Sequence, residues 1–210
     1  MSGEASERAQ LVIKTVEYVG TLAKPDGQIP GTLPQVAFSG RSNVGKSSLI
    51  NTLLRRTRSR IARVSATPGK TQLINFFSVN ELFYLVDLPG FGYARVPMAL
   101  KKEWRGLIEG YLAREDGPVG MVHLVDCRRP PTEQDYEMLE FLAGIEMPTI
   151  VALTKIDKLK ASQRAKTISD ALVDLKIDRD QLVPFSSVTS EGRDELLNAL
   201  TDLLGVAPEG

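Results

Sequence analysis

The run Gly40-Arg41-Ser42-Asn43-Val44-Gly45-Lys46-Ser47, continued by Ser48, fits the spacing G-x-x-x-x-G-K-[ST]. Glycines at these positions let a loop wrap closely around an anion. Its backbone N–H groups then point inward, and a helix that follows adds the partial positive charge of its N-terminus. In such a loop Lys46 neutralises the β- and γ-phosphates of a nucleotide, and the Ser47 hydroxyl is a ligand for Mg²⁺. A short apolar run precedes the motif and a helical pattern follows it, which is the context a phosphate loop needs.

Base choice requires a different group. Thr154-Lys155-Ile156-Asp157 follows the apolar run 149–153. Guanine offers two adjacent donors, N1–H and the N2 amine, which one carboxylate accepts together; adenine offers no such pair and would leave a buried acceptor unpaired. Asp157 is therefore a guanine selector, and the alkyl stem of Lys155 can lie over the base. The alternative is a plain helix cap at a strand end. After the run 182–185, Ser186, Ser187 and Val188 present backbone N–H groups to guanine O6, a signal that depends on position alone.

Two apolar runs end in aspartate, Asp87 and Asp126. Only the first continues as D-x-x-G, through Asp87-Leu88-Pro89-Gly90, where the Gly90 N–H can meet a γ-phosphate. Asp87 is assigned to Mg²⁺ through water, and Asp126 to a structural cap. Just past Gly90, where many GTPases place a water-orienting glutamine, stands Phe91. Intrinsic hydrolysis is therefore expected at or below about 10⁻⁴–10⁻³ s⁻¹, with a partner supplying the missing group. A flexible segment ahead of D-x-x-G should also bring a threonine over Mg²⁺, and Thr67 and Thr71 both qualify.

The elements that position these residues follow from apolar patterning. Strands are expected at 35–38, 73–79, 82–86, 120–125, 149–153 and 182–185, and helices at 46–55, 97–113, 132–143, 161–175 and 191–203. Their alternation predicts an α/β fold, a six-stranded, mostly parallel sheet between helical layers. Runs 73–79 and 82–86, joined at Asn80-Glu81, read as a hairpin, which makes one strand antiparallel. Residues 1–34, rich in proline and glycine, read as an extension, and 35–210 as a single domain. Ligands of such sheets bind at the carboxyl ends of the strands.

Composition narrows the setting. With 42% hydrophobic and 25% charged residues in 210, the chain reads as globular, and no apolar run reaches the ~20 residues of a membrane span. The first residues, MSGEASERAQ, lack an apolar export core, so a cytoplasmic protein with no membrane partner is expected. Net charge is zero, yet between Asp26 and Glu81 there is no acid, while Arg41, Lys46, Arg55, Arg56, Arg58, Arg60, Arg63 and Lys70 all fall there. That segment suits a nucleotide plus a larger anion; a solvated loop is the competing reading. Cys127 and His123 lie in apolar runs and read as packed residues, as does Trp104 at helical spacing with Leu107, Ile108 and Tyr111. Asn43 admits two readings, a ligand to a catalytic K⁺ or simple loop geometry.

Together these motifs resemble translation-factor-class P-loop GTPases. GRSNVGKS, TPGKTQ with Asn75-Phe76-Phe77, DLPGFGYA, VDCR and TKID, in this order, resemble the EngB (YihA/YsxC-type) family over about residues 10–205. The resemblance implies a P-loop three-layer α/β/α fold and a bacterial GTPase that assists large ribosomal subunit assembly and is tied to normal division and septation. It implies rRNA and ribosomal proteins as partners, no DNA, and a monomer. It also implies Thr71 as the closing threonine, with Gly69, Lys70, Gln72 and Leu73 lining that loop. Gln35 departs from the glutamate common in the family, at a position not expected to touch nucleotide.

Overall fold

The computed structural model describes residues 11–55, 73–90 and 98–206. Seven strands, β1 (Val16–Leu22), β2 (Gln35–Gly40), β3 (Ile74–Val79), β4 (Phe83–Asp87), β5 (Gly120–Asp126), β6 (Thr149–Thr154) and β7 (Leu182–Phe185), form one sheet. Five helices are α1 (Lys46–Leu53), α2 (Met98–Leu112), α3 (Glu133–Gly144), α4 (Ala161–Leu175) and α5 (Arg193–Leu204). The sheet order is β1-β3-β4-β2-β5-β6-β7. β2 pairs in parallel with β4 and β5, and β5, β6 and β7 continue in parallel.

The core strands are buried on both sides, so their residues sort by parity. Val36 and Phe38 of β2 join Leu49, Ile50 and Leu53 of α1 and Leu196, Leu197 and Leu200 of α5. Ala37 faces the other way, with Phe76, Tyr84 and Met121, against Leu107, Ile108 and Tyr111 of α2 and Leu142 of α3. α4 covers the β6–β7 end of the sheet through Ala171 and Leu175, packed with Val151, Leu153 and Leu182. The result is the three-layer α/β/α arrangement. Each fully buried large apolar side chain contributes about 1.5–3 kcal/mol of transfer free energy, so the interior of β2 anchors the layers.

The expected six-stranded sheet has a seventh strand. β1, from within the segment read as an extension, pairs antiparallel with β3, which is itself antiparallel to β4. β3 is thus the one strand opposed to the rest, as the hairpin reading requires. Its turn holds Asn80 and Glu81 at φ of 52° and 56°, with the Leu82 N–H donating to the Val79 carbonyl at 2.9 Å. The Asn80 side chain fastens the chain ahead of β1. Its Oδ1 accepts the N–H groups of Lys14 (2.8 Å) and Thr15 (3.0 Å), and its Nδ2 donates to the Val12 carbonyl (2.7 Å).

At the far end of β2, Gln35 accepts the Tyr111 hydroxyl at 2.9 Å and donates to the Asp116 carbonyl at 2.7 Å. An amide serves both neighbours at once, which a carboxylate does not. This end lies opposite the phosphate loop, consistent with no role in nucleotide contact. Trp104 is buried, as its helical spacing predicts.

Candidate functional site

The carboxyl ends of β2, β4, β5, β6 and β7 open on one edge of the sheet, and the predicted loops leave from there. At the end of β2 the chain turns through Arg41, Ser42, Asn43 and Val44 into α1. Gly40 is fixed by room: a Cβ there would lie 2.9 Å from Val44 Cγ1 and 3.0 Å from Leu124 Cβ. Gly45 is fixed by conformation: its φ is 110°, while the nearest atom to an added Cβ is Lys155 Cε at 3.8 Å. The Gly45 carbonyl accepts the Leu49 N–H at 2.8 Å and begins α1, so Lys46 and Ser47 stand in its first turn with Ser48 exposed.

Lys46 Nζ donates to Asp87 Oδ1. This joins the phosphate loop to the tip of β4, where Asp87 is 9% exposed. Leu88 is held by its N–H on the Phe38 carbonyl at 3.1 Å, and Pro89 is buried beside it. Gly90 then returns to the phosphate loop: a Cβ on it would be 3.5 Å from Ser42 Oγ and 3.6 Å from Ser42 N. The Ser47 hydroxyl and the Asp87 carboxylate are hard oxygen donors beside a phosphate loop, a set that fits Mg²⁺ sharing its coordination with phosphate and water. Among the described residues there is no cluster of three or more His, Cys, Asp or Glu, so no all-protein metal cage competes with that reading.

The second lobe is built from β5, β6 and β7. Thr154 donates from Oγ1 to the Val44 carbonyl at 2.8 Å, tying β6 to the phosphate loop. Lys155 takes φ of 63°, and its Nζ donates to the Asn43 carbonyl (2.7 Å) and to Asp126 Oδ2 (2.7 Å). Asn43 is itself at φ 65°, a conformation that turns its carbonyl to that lysine. Ile156 is buried and roots the loop, so Asp157 projects from a fixed base. Asp157 Oδ1 accepts the Ser186 hydroxyl at 2.8 Å, and Lys158 Nζ lies 3.2 Å from Oδ2. Burial opposes the charge of Asp157, but the bonds from Ser186 and Lys158 outweigh it and hold the carboxyl below its ordinary value.

The three residues after β7 are not equivalent. The Ser186 N–H is bonded to the Glu191 carbonyl (3.0 Å), and the Val188 N–H to Ser186 Oγ (3.1 Å). The Ser187 N–H has no acceptor among the described residues, while its carbonyl accepts Thr52 Oγ1 at 3.4 Å. Of the closing loop only Leu73 is described; Gly69, Lys70, Thr71 and Gln72, and Phe91 and Tyr93 after Gly90, lie outside the described residues, as do Arg56, Arg58, Arg60 and Arg63.

Some contacts escaped the sequence reading. Asp126 does cap its turn, accepting the Arg128 N–H at 3.1 Å, but it also grips Lys155. His123 is fully buried, with Nδ1 2.9 Å from Ser39 Oγ and Nε2 3.3 Å from Asp135 Oδ1. A carboxylate only accepts, so Nε2 is the donor to Asp135. Ser39, His123 and Asp135 are each at most 3% exposed, so the set is a structural tie between β2, β5 and α3, not a hydrolytic triad. No sequence motif marks it, because its members are 84 and 12 residues apart.

The G-x-x-x-x-G-K-S loop at the end of β2 and the Thr154-Lys155-Ile156-Asp157 loop at the end of β6, on a three-layer α/β/α fold, are the arrangement of a P-loop GTPase. Residues 35–155 match the family described as a 50S ribosome-binding GTPase. The probable GTP-binding protein EngB of Gemmatimonas aurantiaca is 53% identical over 197 residues, 93% of this chain and 96% of its own. A crystal structure of a probable GTP-binding protein engB superposes with a TM-score of 0.67 at 25% identity, covering 81% of this chain and 98% of that one. The chain belongs to the EngB family of GTP-binding proteins. Its fold also resembles Era, solved with MgGDPNP and nucleotides 1506–1542 of 16S ribosomal RNA, at TM-score 0.60 and 23% identity over 85% of this chain and 58% of that one.

Proposed function

We propose that this chain is a GTP-operated switch that hydrolyses GTP slowly and acts in assembly of the large ribosomal subunit, on which normal cell division and septation depend. The observation that carries the nucleotide part is the meeting of two loops at one sheet edge. Lys155 Nζ rests on the phosphate loop 2.7 Å from the Asn43 carbonyl, and two residues on, Asp157 projects as the base acceptor. The ribosomal part rests on the family match and on the acid-free basic segment.

Guanine N1–H and N2 amine would donate to the two oxygens of Asp157. Oδ1 accepts the Ser186 hydroxyl and Oδ2 faces Lys158, and a carboxylate has about four lone-pair sites to share among such donors. The Ser187 N–H would meet O6, narrowing the three-residue expectation to one donor. Lys46 would leave Asp87 for the β- and γ-phosphates, with the loop N–H groups holding the remaining phosphate oxygens. Ser47, Asp87 and Thr71 would hold Mg²⁺, which when bound neutralises developing phosphate charge. Gly90 would present its N–H to the γ-phosphate as a water attacks in line with the leaving group. Phe91 cannot orient that water, so turnover without a partner stays near or below about 10⁻³ s⁻¹.

The test is single-turnover hydrolysis by purified full-length protein, with GTP and ATP compared. Slow, guanine-selective hydrolysis is expected. Equal use of ATP would remove the base assignment, and unassisted turnover at several per second would remove the partner-dependent one.

A further inference from the structure

We infer that Asp126 is a positioning residue for guanine-nucleotide binding, acting through Lys155. This rests on reading residues 154–157 as the base-recognition loop.

Asp126 closes β5 directly beside Thr154, its register partner on β6, so its carboxylate stands next to the residue after Thr154. Arg128 grips it from the solvent side with two parallel bonds, Nε to Oδ1 at 2.9 Å and Nη2 to Oδ2 at 2.7 Å. The Arg128 N–H adds a third bond to Oδ1 at 3.1 Å. These fix the carboxylate plane and leave Oδ2 aimed at Lys155 Nζ, 2.7 Å away.

Lys155 is thus held at both ends. Its backbone takes φ of 63°, with its carbonyl accepting Cys127 Sγ at 3.2 Å, and its ammonium is shared between Asp126 and the Asn43 carbonyl. A free lysine samples many rotamers and must surrender them when its stem covers a base. Here protein groups alone hold both ends of the side chain, with the stem drawn across Gly45. The Asn43 carbonyl alone is a neutral acceptor, whereas Asp126 supplies the charge that makes the anchoring bond strong. The side chain that walls the base is thereby preorganised by an acid that touches no nucleotide.

The experiment is equilibrium titration of a fluorescent GDP analogue against the full chain in four forms: unmodified, Asp126→Ala, Lys155→Ala and the double variant. Thermal melts check folding, and Asp126→Asn replaces Asp126→Ala if the latter does not fold. Asp126→Ala should weaken binding about tenfold in the Lys155 background. In the Lys155→Ala background the same change should alter affinity less than twofold, because a purely structural acid would cost the same in both. An equal loss in the two backgrounds, or no loss with Lys155 present, would overturn the proposal. If the unmodified protein failed to bind GDP, the base-loop reading itself would fall, which the four-way comparison separates from failure of the positioning role.

Discussion

Asp157 carries the most specific chemistry of the proposed function, in which its two oxygens accept two guanine donors at once. Replacing it with asparagine leaves one oxygen facing a donor and turns an NH₂ toward another, a mismatch worth about 1–3 kcal/mol. Asp157→Asn should therefore weaken GDP roughly 5- to 100-fold and improve xanthosine diphosphate, whose 2-oxo group suits the amide; competition binding reads the ratio. Since the carboxyl is held below its ordinary value, its ionised form persists well under neutrality. A depressed acid contributes above about pH 4 and is lost only as pH falls through the lowered value, so GDP affinity should be flat between about pH 6 and 8. Cys127 illustrates the opposite shift. Burial, reinforced by the Asp126 charge, pushes its thiol up to about 11. At pH 8 almost none is thiolate, so alkylation should be slow in the folded protein and speed up on denaturation.

Individual elements differ in how openly the sequence announces them. β2, β5 and β6 are continuous buried apolar runs followed by loop chemistry, and their positions could be read to within two residues. β1 could not. In VEYVGTL only Leu22 is fully buried, Tyr18 is 58% exposed, and the register shifts between Tyr18 and Gly20, so no period of two survives. What holds it in place is tertiary: pairing with β3 and the three bonds of the Asn80 side chain to residues 12–15. Asn80→Ala should cost about 1–2 kcal/mol by denaturant titration, through those bonds and the positive φ that asparagine tolerates. The site shows the same division. The loops 40–47, 87–90 and 154–157 were legible because the residues proposed to meet phosphate and base are contiguous in the chain. The Asp126–Lys155 bond spans 29 residues and exists only because β5 and β6 are neighbours, which local spacing does not reveal.

At the scale of the whole molecule, the loops that follow β2, β4, β6 and β7 all rise from one edge of the sheet, and the acid-free stretch between Asp26 and Glu81 contains the phosphate loop and α1. Arg55, Arg56, Arg58, Arg60 and Arg63 follow α1 in sequence, and a cationic run of this kind is suited to RNA phosphates, whose binding weakens steeply with salt. Replacing Arg56, Arg58 and Arg60 with alanine should therefore weaken ribosome association and reduce its salt dependence while leaving GDP affinity unchanged; loss of GDP affinity would make these residues structural. The central claim, a guanine-nucleotide switch read out by the large ribosomal subunit, is tested most directly by co-sedimentation with purified large subunits in GDP and in a non-hydrolysable GTP analogue. Strong association with the analogue and weak association with GDP are predicted. Equal association in the two nucleotides, or none in either, would contradict the account.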